Sequence, residues 1–496
     1  MVSYGLEATY IDLDLQHAPD RAVRTHALAH DLRHRFPNAD IVVGGGVIVI
    51  VGDVGEARIT SMVTQSAPGA AIGLSPKNHT LPIVFDGPDL DDVATALKLS
   101  PDEIVQSLVN TDFLVELVGF LPGFGYLGPL DLRLVSPRRK NPRPRVPAGS
   151  LGIAGEFAGI YPFASPGGWN LVGRSVGPSV FDVNREAPFL FAAGDRVRFD
   201  NVAPADVAAA NEERSAEKNA RVEPPAFVVE AAPACATIQD AGRIGRLHSG
   251  MPPSGPLDPE TFAKANLAVG NAQTEAALEI PLGRFVLRAM GNLIVSLDGD
   301  KPISLADGER FEVPEHSMAV RYLAFRGGID VPPVLGSYAT LLVARLGGYH
   351  GRPLRKRDIV PIADRIVAEC QTNAHKDHEA VDITEIMIDP GPHQQRFSLD
   401  ALDVLLSSTY FVSPLADRVG VRLDGPKIPR TGGDSALPVP MIRGAMQIAT
   451  DGTPIVFGPD HPTTGGYPVL AVVRRSSWGR FARRRAGSAI RFVLGR

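Results

Sequence analysis

The sequence is poor in cysteine and has no long apolar run. Its 496 residues include two cysteines, Cys235 and Cys370, too few for a disulfide framework, so a reducing compartment is expected. The most apolar window, residues 41–52, is too short to span a bilayer and is typical of a buried strand. The first residues lack the basic start and apolar core of a signal peptide. These features predict a cytoplasmic protein with no membrane partner.

An excess of basic residues is also missing. The chain has 50 Lys and Arg against 55 Asp and Glu, a formal net charge of −5, whereas nucleic-acid-binding proteins usually carry a basic surplus. A nucleic-acid partner is therefore not expected. The basic cluster RRSSWGRFARRR, residues 474–485, is most simply a solvated face, with RNA or membrane contact as the alternative.

Several motifs of cofactor binding and catalysis are absent. The sequence has no P-loop. GFLPGFGYLG, residues 119–128, has the glycine spacing of a dinucleotide fingerprint, but Pro129 follows it and no helix opens there to bind a phosphate. His26, His30 and His34 recur at helical spacing without an accompanying acid. We therefore predict a solvent-facing stripe and no metal site.

Glycine and proline are abundant, with 50 and 43 residues. They favour tight turns and short strands, and so a mainly β fold with an α+β part. We predict a small α+β domain over residues 1–80 and a β-barrel over residues 81–202. Residues 203–225, rich in Ala, Glu and Asn, are interpreted as a linker. Residues 226–496 again show short strands and form the second half.

One internal echo connects the two halves. ASPGGWN (164–170) and PTTGGYP (462–468) share a Gly-Gly-aromatic step, and AGSLGIAG and RGAMQIAT precede them. IYPF and PIVF lie between these segments in the first and second half, respectively. The echo predicts two related β-barrels.

An arginine-rich stretch precedes the glycines of the first half. In PRRKNPRPRVPAGSLGIAG, residues 137–155, a strand would place Arg143 and Arg145 on one face. Guanidinium groups beside exposed backbone N–H groups suit a carboxylate or phosphate. The alternative is a solvated basic edge strand followed by ordinary barrel turns. The candidate anion contacts are Arg139, Arg143, Arg145, Gly149, Gly152, Gly155, Gly167 and Gly168.

The second half opens with a segment dense in polar residues, residues 236–271. Asp258 precedes Pro259 and can cap a helix, which is its structural interpretation. Asp240 and Ser254 lie in Gly/Pro loops, where a turn-forming role is common. These three are nevertheless candidates for chemistry.

Several motifs resemble those of a known family. GFLPGFGYLG, PRRKNPRPRVPAGSLGIAG, GIYPFASPGGWNLVGR and GDRVRF resemble the B subunit of 5-oxoprolinase, in the allophanate hydrolase subunit 1 family, which includes an inhibitor of a sporulation kinase. ATIQDAGRIGR, MPPSGPLDPE, ANLAVGN, FRGGIDVPPVLGS and PTTGGYP resemble its C subunit. Both sets are similar to the carboxyltransferase region of urea carboxylase. The chain thus resembles a fusion of the two subunits across residues 203–225.

The resemblance implies cyclophilin-like β-barrels in both halves. It also implies ATP-dependent opening of 5-oxoproline to glutamate, with magnesium and a separate A subunit, and leaves a homo-oligomer open. One alternative is a carboxyltransferase component acting on urea or a related amide, with biotin from a separate carrier. Another is a non-catalytic binding protein that resembles the kinase inhibitor.

For this chemistry the residue types suggest two groups of site residues. Asp240 and Asp258 are the expected catalytic residues, as magnesium ligands or partners of a substrate N–H. The residues expected to complete a substrate site between the halves are Ser254, Arg326, Thr463, Thr464 and Tyr467.

Overall fold

We describe the fold from a computed structural model. It describes residues 1–5, 8–15, 17–52, 76–204, 223, 225–314, 318–365, 383–431 and 437–495. The predicted linker therefore lies mostly outside the described residues, as does Cys370. The described part is mainly β, as predicted, with six α-helices. None of these helices is long and apolar enough to cross a membrane.

The N-terminal unit is a four-stranded sheet with one helix. The sheet order is β1-β2-β4-β3. Along β4, Ile48 and Ile50 belong to a core shared with the helix and the first barrel, whereas Val47 and Val49 belong to a core shared with the second barrel. Because successive strand residues face opposite sides, a sheet buried on both faces explains the continuous apolar run. The elements are β1 (Val2–Ser3), β2 (Ala8–Asp12), α1 (Arg21–Arg35), β3 (Asp40–Val43) and β4 (Val47–Val51).

Barrel 1 follows as a closed seven-stranded barrel in the order β10-β7-β6-β13-β5-β12-β9, with β8 and β11 paired as a separate arm. Two helices pack on it, and Ser100 caps the second in a capping box with Glu103, as the sequence Ser-x-x-Glu indicates. Its elements are β5 (Asn78–Val84), α2 (Leu90–Leu97), α3 (Pro101–Asn110), β6 (Phe113–Val118), β7 (Gly125–Gly128), β8 (Arg143–Val146), β9 (Ser150–Ala154), β10 (Phe157–Ile160), β11 (Ser165–Gly167), β12 (Asn170–Ser175) and β13 (Arg196–Asn201).

A middle unit of two sheets opens the second half. Its sheets have the orders β20-β17-β14-β22 and β15-β16-β21-β18-β19 and enclose one apolar core. Its elements are β14 (Ala226–Ala231), β15 (Thr237–Gln239), α4 (Pro259–Ala268), β16 (Ala277–Pro281), β17 (Val286–Met290), β18 (Leu293–Leu297), β19 (Ile303–Leu305), β20 (Arg310–Glu312), β21 (Val320–Phe325) and β22 (Ile359–Pro361).

Barrel 2 ends the chain as a second closed barrel, in the order β23-β30-β27-β28-β25-β24-β31, with β26 and β29 as its arm. Its elements are β23 (Ile383–Pro390), α5 (Ala401–Ser407), β24 (Thr409–Val412), β25 (Gly420–Asp424), β26 (Val439–Pro440), β27 (Ala445–Ile448), β28 (Pro454–Phe457), β29 (Thr464–Gly465), β30 (Val469–Val473), α6 (Arg475–Ala482) and β31 (Ala489–Leu494).

The two barrels are repeats of one topology. The strands β5 to β13 of barrel 1 correspond in chain order to β23 to β31 of barrel 2. With this correspondence the strand orders around the two barrels coincide, and the arm β8·β11 corresponds to the arm β26·β29. Both closures include one parallel pair, β5·β13 and β23·β31. A register shift recurs between β12 and β9 and between β30 and β27. This confirms the prediction of two related barrels.

The sequence echo was two residues out of register at IYPF. Ile160 pairs with Leu151, and Val456 pairs with Met446. Because Leu151 and Met446 are equivalent in their strands, IYPF corresponds to VFGP and not to PIVF. Apolar similarity over four residues cannot fix a strand register.

The histidine stripe also differs from the prediction. His26 is buried, and its Nε2 lies 2.7 Å from the carbonyl of Glu116 in barrel 1. Arg21 on the same helix pairs with the Glu116 carboxylate at 3.0 Å. This face of α1 packs on barrel 1, whereas His34, further along, is exposed.

Candidate functional site

The arginines of the predicted anion site are held by a carboxylate of their own barrel. Asp89 accepts two hydrogen bonds from Arg143, at 2.9 and 2.6 Å, and one from Arg139 at 2.7 Å. The N–H of Leu171 donates to Asp89 Oδ2 at 2.7 Å. Burial would raise the pKa of Asp89, but the bonds from Arg143 and Leu171 outweigh it, so the pKa is lowered. The two arginines therefore clamp the arginine-rich segment to the barrel.

Arg145 does not join this clamp. The predicted strand forms as β8, but its pairing with β11 is irregular between the pairs Val146–Ser165 and Arg143–Gly167. Such a bulge breaks the two-residue alternation that would place Arg143 and Arg145 on one face. Arg145 is exposed to solvent.

Two glycines of the predicted cradle have their N–H groups bonded within barrel 1. The N–H of Gly149 donates to the carbonyl of Tyr161 at 2.7 Å, and that of Gly155 to the carbonyl of Ser136 at 2.7 Å. These two N–H groups are therefore not available to an anion, contrary to expectation. The other three, which lie in β9, in β11 and directly after β11, are Gly152, Gly167 and Gly168.

Asp240 organises a turn. Its Oδ1 accepts from the Ser337 hydroxyl at 2.6 Å and from the N–H of Gly242 at 2.8 Å, and its Oδ2 accepts from the N–H of Tyr338 at 2.7 Å. The carboxylate is buried and both oxygens are engaged. This arrangement does not suit the predicted magnesium role.

Asp258 is a helix cap, as its structural interpretation predicted. It accepts from the N–H groups of Glu260 and Thr261 at 3.2 and 3.3 Å and from the Thr261 hydroxyl at 2.6 Å. Arg483 pairs with it at 3.2 Å. Among the residues that the structure describes, no group of three or more His, Cys, Asp or Glu side chains is placed to hold a metal ion.

Arg326 and Tyr467 contact different parts of the second half. Arg326 is exposed and lines a cleft of about 350 Å³ in the middle unit, together with Arg365 and Asn292. The Tyr467 ring faces the guanidinium of Arg430 at 5.8 Å. The structure does not bring these two side chains together.

The two halves meet where three loops converge, at residues 119–124 of barrel 1, 249–255 of the middle unit and 458–465 of barrel 2. We call this junction the seam. Tyr126 Oη lies 3.3 Å from Thr464 Oγ1 across it. A Cβ on Gly119 would lie 2.3 Å from the Thr464 side chain, so only glycine permits this approach. Of the residues predicted for a site between the halves, Thr464 thus lies at the seam.

Two predicted residues at the seam carry buried hydroxyls without a hydrogen-bond partner, Ser254 Oγ and Thr463 Oγ1. Ser254 also has φ of 57° and donates its N–H to the carbonyl of Pro459 at 3.0 Å. Backbone strain and unpaired buried polar groups are both costly, and they concentrate at functional sites. The seam is therefore the candidate substrate site.

Sequence reasoning left Gln239 and Arg243 out of the site, although both lie in the recognised motif ATIQDAGRIGR. Both are buried, and each has one polar atom without a partner, Gln239 Oε1 and Arg243 Nη1. The N–H of Arg243 donates to the carbonyl of Pro253 at 2.6 Å, and this hydrogen bond joins the motif to the seam. Only their buried environment marks these side chains, and that is not visible in sequence.

A buried ion network fixes barrel 2 to the middle unit beside the seam. Arg418 donates to Asp460 at 2.8 Å and also bonds Glu279. Tyr322 donates to Glu279 at 2.8 Å. Burial lowers the pKa of Arg418, but the charges of Asp460 and Glu279 outweigh it and raise the pKa. The network keeps the 458–465 loop in place.

On the barrel 1 side, an aromatic cluster closes the seam. Phe124 packs edge-on against Tyr126, Tyr161 and Trp169, with ring centroids 5.2 to 5.4 Å apart. Burial raises the pKa of Tyr126. It also raises the pKa of Tyr161 to about 12, opposed in part by a hydrogen bond with the Trp169 backbone and by the charge of Arg138. Both tyrosines therefore stay neutral hydrogen-bonding groups at physiological pH.

The repeated barrels, consistent with cyclophilin-like barrels, and the seam between them define a carboxyltransferase-type architecture. The family model described as carboxyltransferase domain, subdomain C and D, matches residues 1–191, and the model for subdomain A and B matches residues 249–494. The chain belongs to this carboxyltransferase-domain family, which is represented among its relatives by the B and C subunits of 5-oxoprolinase.

Three curated relatives illustrate the match. The chain is 33% identical to the C subunit of Escherichia coli 5-oxoprolinase over 273 residues, which is 52% of this chain and 87% of the relative. It is 42% identical to the B subunit of Bacillus subtilis 5-oxoprolinase over 127 residues, 26% of this chain and about half (52%) of that relative's length. It is 30% identical to the urea amidolyase of Lachancea kluyveri over 54% of this chain and 17% of the relative.

A solved structure matches the whole chain. The crystal structure of the protein TTHA0988 has a TM-score of 0.84 and 30% sequence identity, and the match includes 98% of this chain and 99% of that chain. The arrangement of both halves in a single chain therefore has a solved counterpart.

Proposed function

We propose that this protein is the fused B and C component of an ATP-dependent 5-oxoprolinase, which opens 5-oxoproline to glutamate together with a separate A subunit. The observation that carries the proposal is the seam. Residues of the B-like first half, such as Tyr126, and of the C-like second half, such as Ser254 and Thr464, build one buried polar junction. Two subunits that form one site benefit from fusion, because linkage makes their association intramolecular.

The proposed reaction converts 5-oxoproline, ATP and two water molecules into glutamate, ADP and phosphate. The lactam C–N bond breaks, the carbonyl carbon gains oxygen from water, and the nitrogen is protonated to the ammonium group of glutamate. Phosphorylation of the amide oxygen would supply the leaving group that an unactivated lactam lacks. We assign no magnesium contact to Asp240 or Asp258, because a turn and a helix cap engage their oxygens.

The test is glutamate release from 5-oxoproline with ATP and magnesium, using this protein with and without the A subunit. We expect release only when both are present, with ADP formed in equal amount. If a folded, associated pair releases no glutamate, the proposal is wrong. If this protein turns over 5-oxoproline by itself, the requirement for a second protein is wrong.

A second candidate is a carboxyltransferase component that moves a carboxyl group from a biotin carrier to urea or a related amide. The match to the urea amidolyase of Lachancea kluyveri favours it. Biotin would have to come from a separate carrier protein. Transfer of labelled carboxyl from carboxybiotin to urea, with no glutamate release from 5-oxoproline, would replace the first proposal by this one.

A further inference from the structure

The largest of the fully buried side chains in the described residues is an arginine, Arg243, with 2% of its surface exposed. Its guanidinium donates to two backbone carbonyls, from Nε to Val334 at 3.1 Å and from Nη2 to Ala339 at 2.5 Å. Its Nη1 has no hydrogen-bond partner. A buried cation bonded to carbonyls alone is costly, because dipoles offset little of the lost hydration of a full charge.

The neighbouring carboxylates do not neutralise it. Asp240 and Asp460 both act on the pKa of Arg243, which burial nevertheless lowers. The oxygens of Asp240 accept from Ser337, Gly242 and Tyr338, and those of Asp460 accept from Arg418. Both anions are thus already bonded to other donors, and the guanidinium retains an unpaired N–H beside the seam.

We propose that Arg243 binds the carboxylate of the substrate at the seam. The proposal rests on the proposed function for the identity of that substrate, and it assigns the site to a small carboxylate-bearing amide. A charge-assisted bond to a carboxylate would pair the free Nη1–H and offset the cost of the buried charge.

The other unpartnered atoms suit the amide part of such a ligand. Gln239 donates its Nε2–H groups to Thr237 Oγ1 at 3.0 Å and to the carbonyl of Thr340 at 3.2 Å, which fixes its Oε1 as the free acceptor. An acceptor of this kind can receive a lactam N–H. Ser254 Oγ, with no partner of its own, can donate to the lactam carbonyl. A neutral molecule such as urea would leave Arg243 unpaired.

Access requires a movement of the segment that covers Arg243. This segment includes Val334 and Ala339, and a Cβ on Gly347 would lie 2.4 Å from Arg243 Nη2. Leu335 and Arg345, in the same segment, have φ of 54° and 52°, a strained conformation for residues other than glycine. The strain is consistent with a segment that rearranges when the ligand enters.

Calorimetric binding to the full chain, alone and in complex with the A subunit, tests the proposal with two probes that differ only in the carboxylate, 5-oxoproline and 2-pyrrolidinone. The variant is Arg243→Lys, which keeps the positive charge but lacks the planar guanidinium and its several N–H donors. The control is Arg246→Lys, at an exposed position of the same loop. We expect Arg243→Lys to weaken 5-oxoproline binding about tenfold to a hundredfold. Arg246→Lys should not change the affinity for 5-oxoproline. The wild-type protein should bind 2-pyrrolidinone as weakly as Arg243→Lys binds 5-oxoproline.

Equal binding of both probes by the wild-type protein overturns the proposal, as does unchanged 5-oxoproline binding by a folded Arg243→Lys. Because the probe comparison needs no variant, a failure of Arg243→Lys to fold does not remove the test. Carboxylate-dependent binding without glutamate release would retain the Arg243 assignment and reject the 5-oxoprolinase function. Glutamate release together with equal binding of 5-oxoproline and 2-pyrrolidinone would retain the 5-oxoprolinase function and reject the Arg243 assignment.

Discussion

The two barrels place different side chains at one equivalent position. In barrel 1 the sequence Gly-Pro-Asp ends at Asp89, whose Oδ2 accepts the N–H of Leu171 beside the irregular pairing of β12. In barrel 2 the sequence Gly-Pro-His ends at His393, whose Nδ1 accepts the N–H of Val469 at 3.0 Å, beside the matching irregularity of β30. The repeat therefore conserves an acceptor for one displaced N–H and not a residue type.

Asp89 and His393 differ in their second hydrogen-bond partners. Asp89 holds Arg139 and Arg143 of its own barrel, whereas His393 donates from Nε2 to the Tyr10 hydroxyl of the N-terminal sheet, at 3.2 Å. Barrel 1 thus uses the position to fix its arginine-rich segment, and barrel 2 uses it to hold another unit. The two barrels therefore share a backbone requirement, and the side chain that meets it has a different second partner in each barrel.

The largest expected effect comes from the buried ion network of Arg418, which fixes barrel 2 to the middle unit. Arg418→Ala leaves Asp460 and Glu279 buried without their cation, so we expect a loss of about 3–5 kcal/mol in the free energy of unfolding of barrel 2. Arg422→Ala, exposed on the same hairpin, should change it by less than about 0.5 kcal/mol. Urea denaturation followed by Trp478 fluorescence in a Trp169→Phe background reports on barrel 2. Equal effects of the two variants would contradict the account.

A smaller loss is expected in barrel 1 from Asp89→Asn. The amide keeps the shape but leaves Arg139 and Arg143 without their anion, at a cost of about 2–3 kcal/mol. Asp86→Asn, which affects only an exposed ion pair with Arg174, should cost less than about 0.5 kcal/mol. Trp169 fluorescence in a Trp478→Phe background reports this barrel alone. No difference between the two variants would show that the clamp is dispensable.

The two equivalent residues should also give the barrels different acid sensitivities. Burial and the charge of Arg396 lower the pKa of His393 to about 4. The pKa of His393 is lower in the folded than in the unfolded protein. Its contribution to the free energy of unfolding is therefore full above about pH 6.5 and is lost as the pH falls towards 4. His461 shares this window, since burial lowers its pKa to about 4 as well. Barrel 2 should therefore weaken between pH 6.5 and 4.

Asp89 acts in a lower window. The pKa of Asp89 is lowered in the folded protein. Its contribution to the free energy of unfolding is therefore full above its unfolded pKa of about 4 and is lost only as the pH falls below that value. Burial also lowers the pKa of His26, which packs against barrel 1, so the comparison uses a His26→Gln background. Urea denaturation at a series of pH values, read from each tryptophan in turn, should then show barrel 2 weakening first. His393→Gln should flatten the barrel 2 dependence in part. Simultaneous weakening of both barrels, unchanged by His393→Gln, would refute the assignment.

The smallest expected difference lies in the helices that precede the second strand of each barrel. Ser100 forms a capping box in barrel 1, whereas Asp400 makes no side-chain capping bond in barrel 2. Ser100→Ala should destabilise barrel 1 by about 1 kcal/mol. Asp400→Ala should cost barrel 2 less than about 0.5 kcal/mol. The same two fluorescence measurements check this, and an equal cost in both barrels would contradict it.

The parts of the fold that sequence predicts are those written in local patterns. Gly/Pro turns indicated short strands, the Gly-Gly-aromatic echo indicated the repeat, and Ser-x-x-Glu indicated the cap at Ser100. The ring order and the two-sheet middle unit depend on pairings between distant strands, such as β5 with β13. Such pairings leave no local signal, so the sequence could not separate the middle unit from barrel 2.

The sequence could indicate candidate site residues, but it could not indicate the contacts that each of them makes. Ser254, Thr463 and Thr464 stood out in the sequence because their motifs are dense in turn and hydroxyl residues, and Ser254 and Thr464 contact residues across the seam. Asp89 lies 50 residues before Arg139, and no pattern in the sequence joins them. Asp240 looked catalytic because its partner Ser337, 97 residues later, is close only in the folded chain.

The central claim is that both halves build one substrate site at the seam. Its most direct test is a crystal structure of this protein with 5-oxoproline bound. The account predicts ligand density at the seam, with the carboxylate at Arg243 and with contacts from Ser254 on one side and the Tyr126 side of barrel 1 on the other. Density confined to one half, such as the cleft beside Arg326, would contradict it.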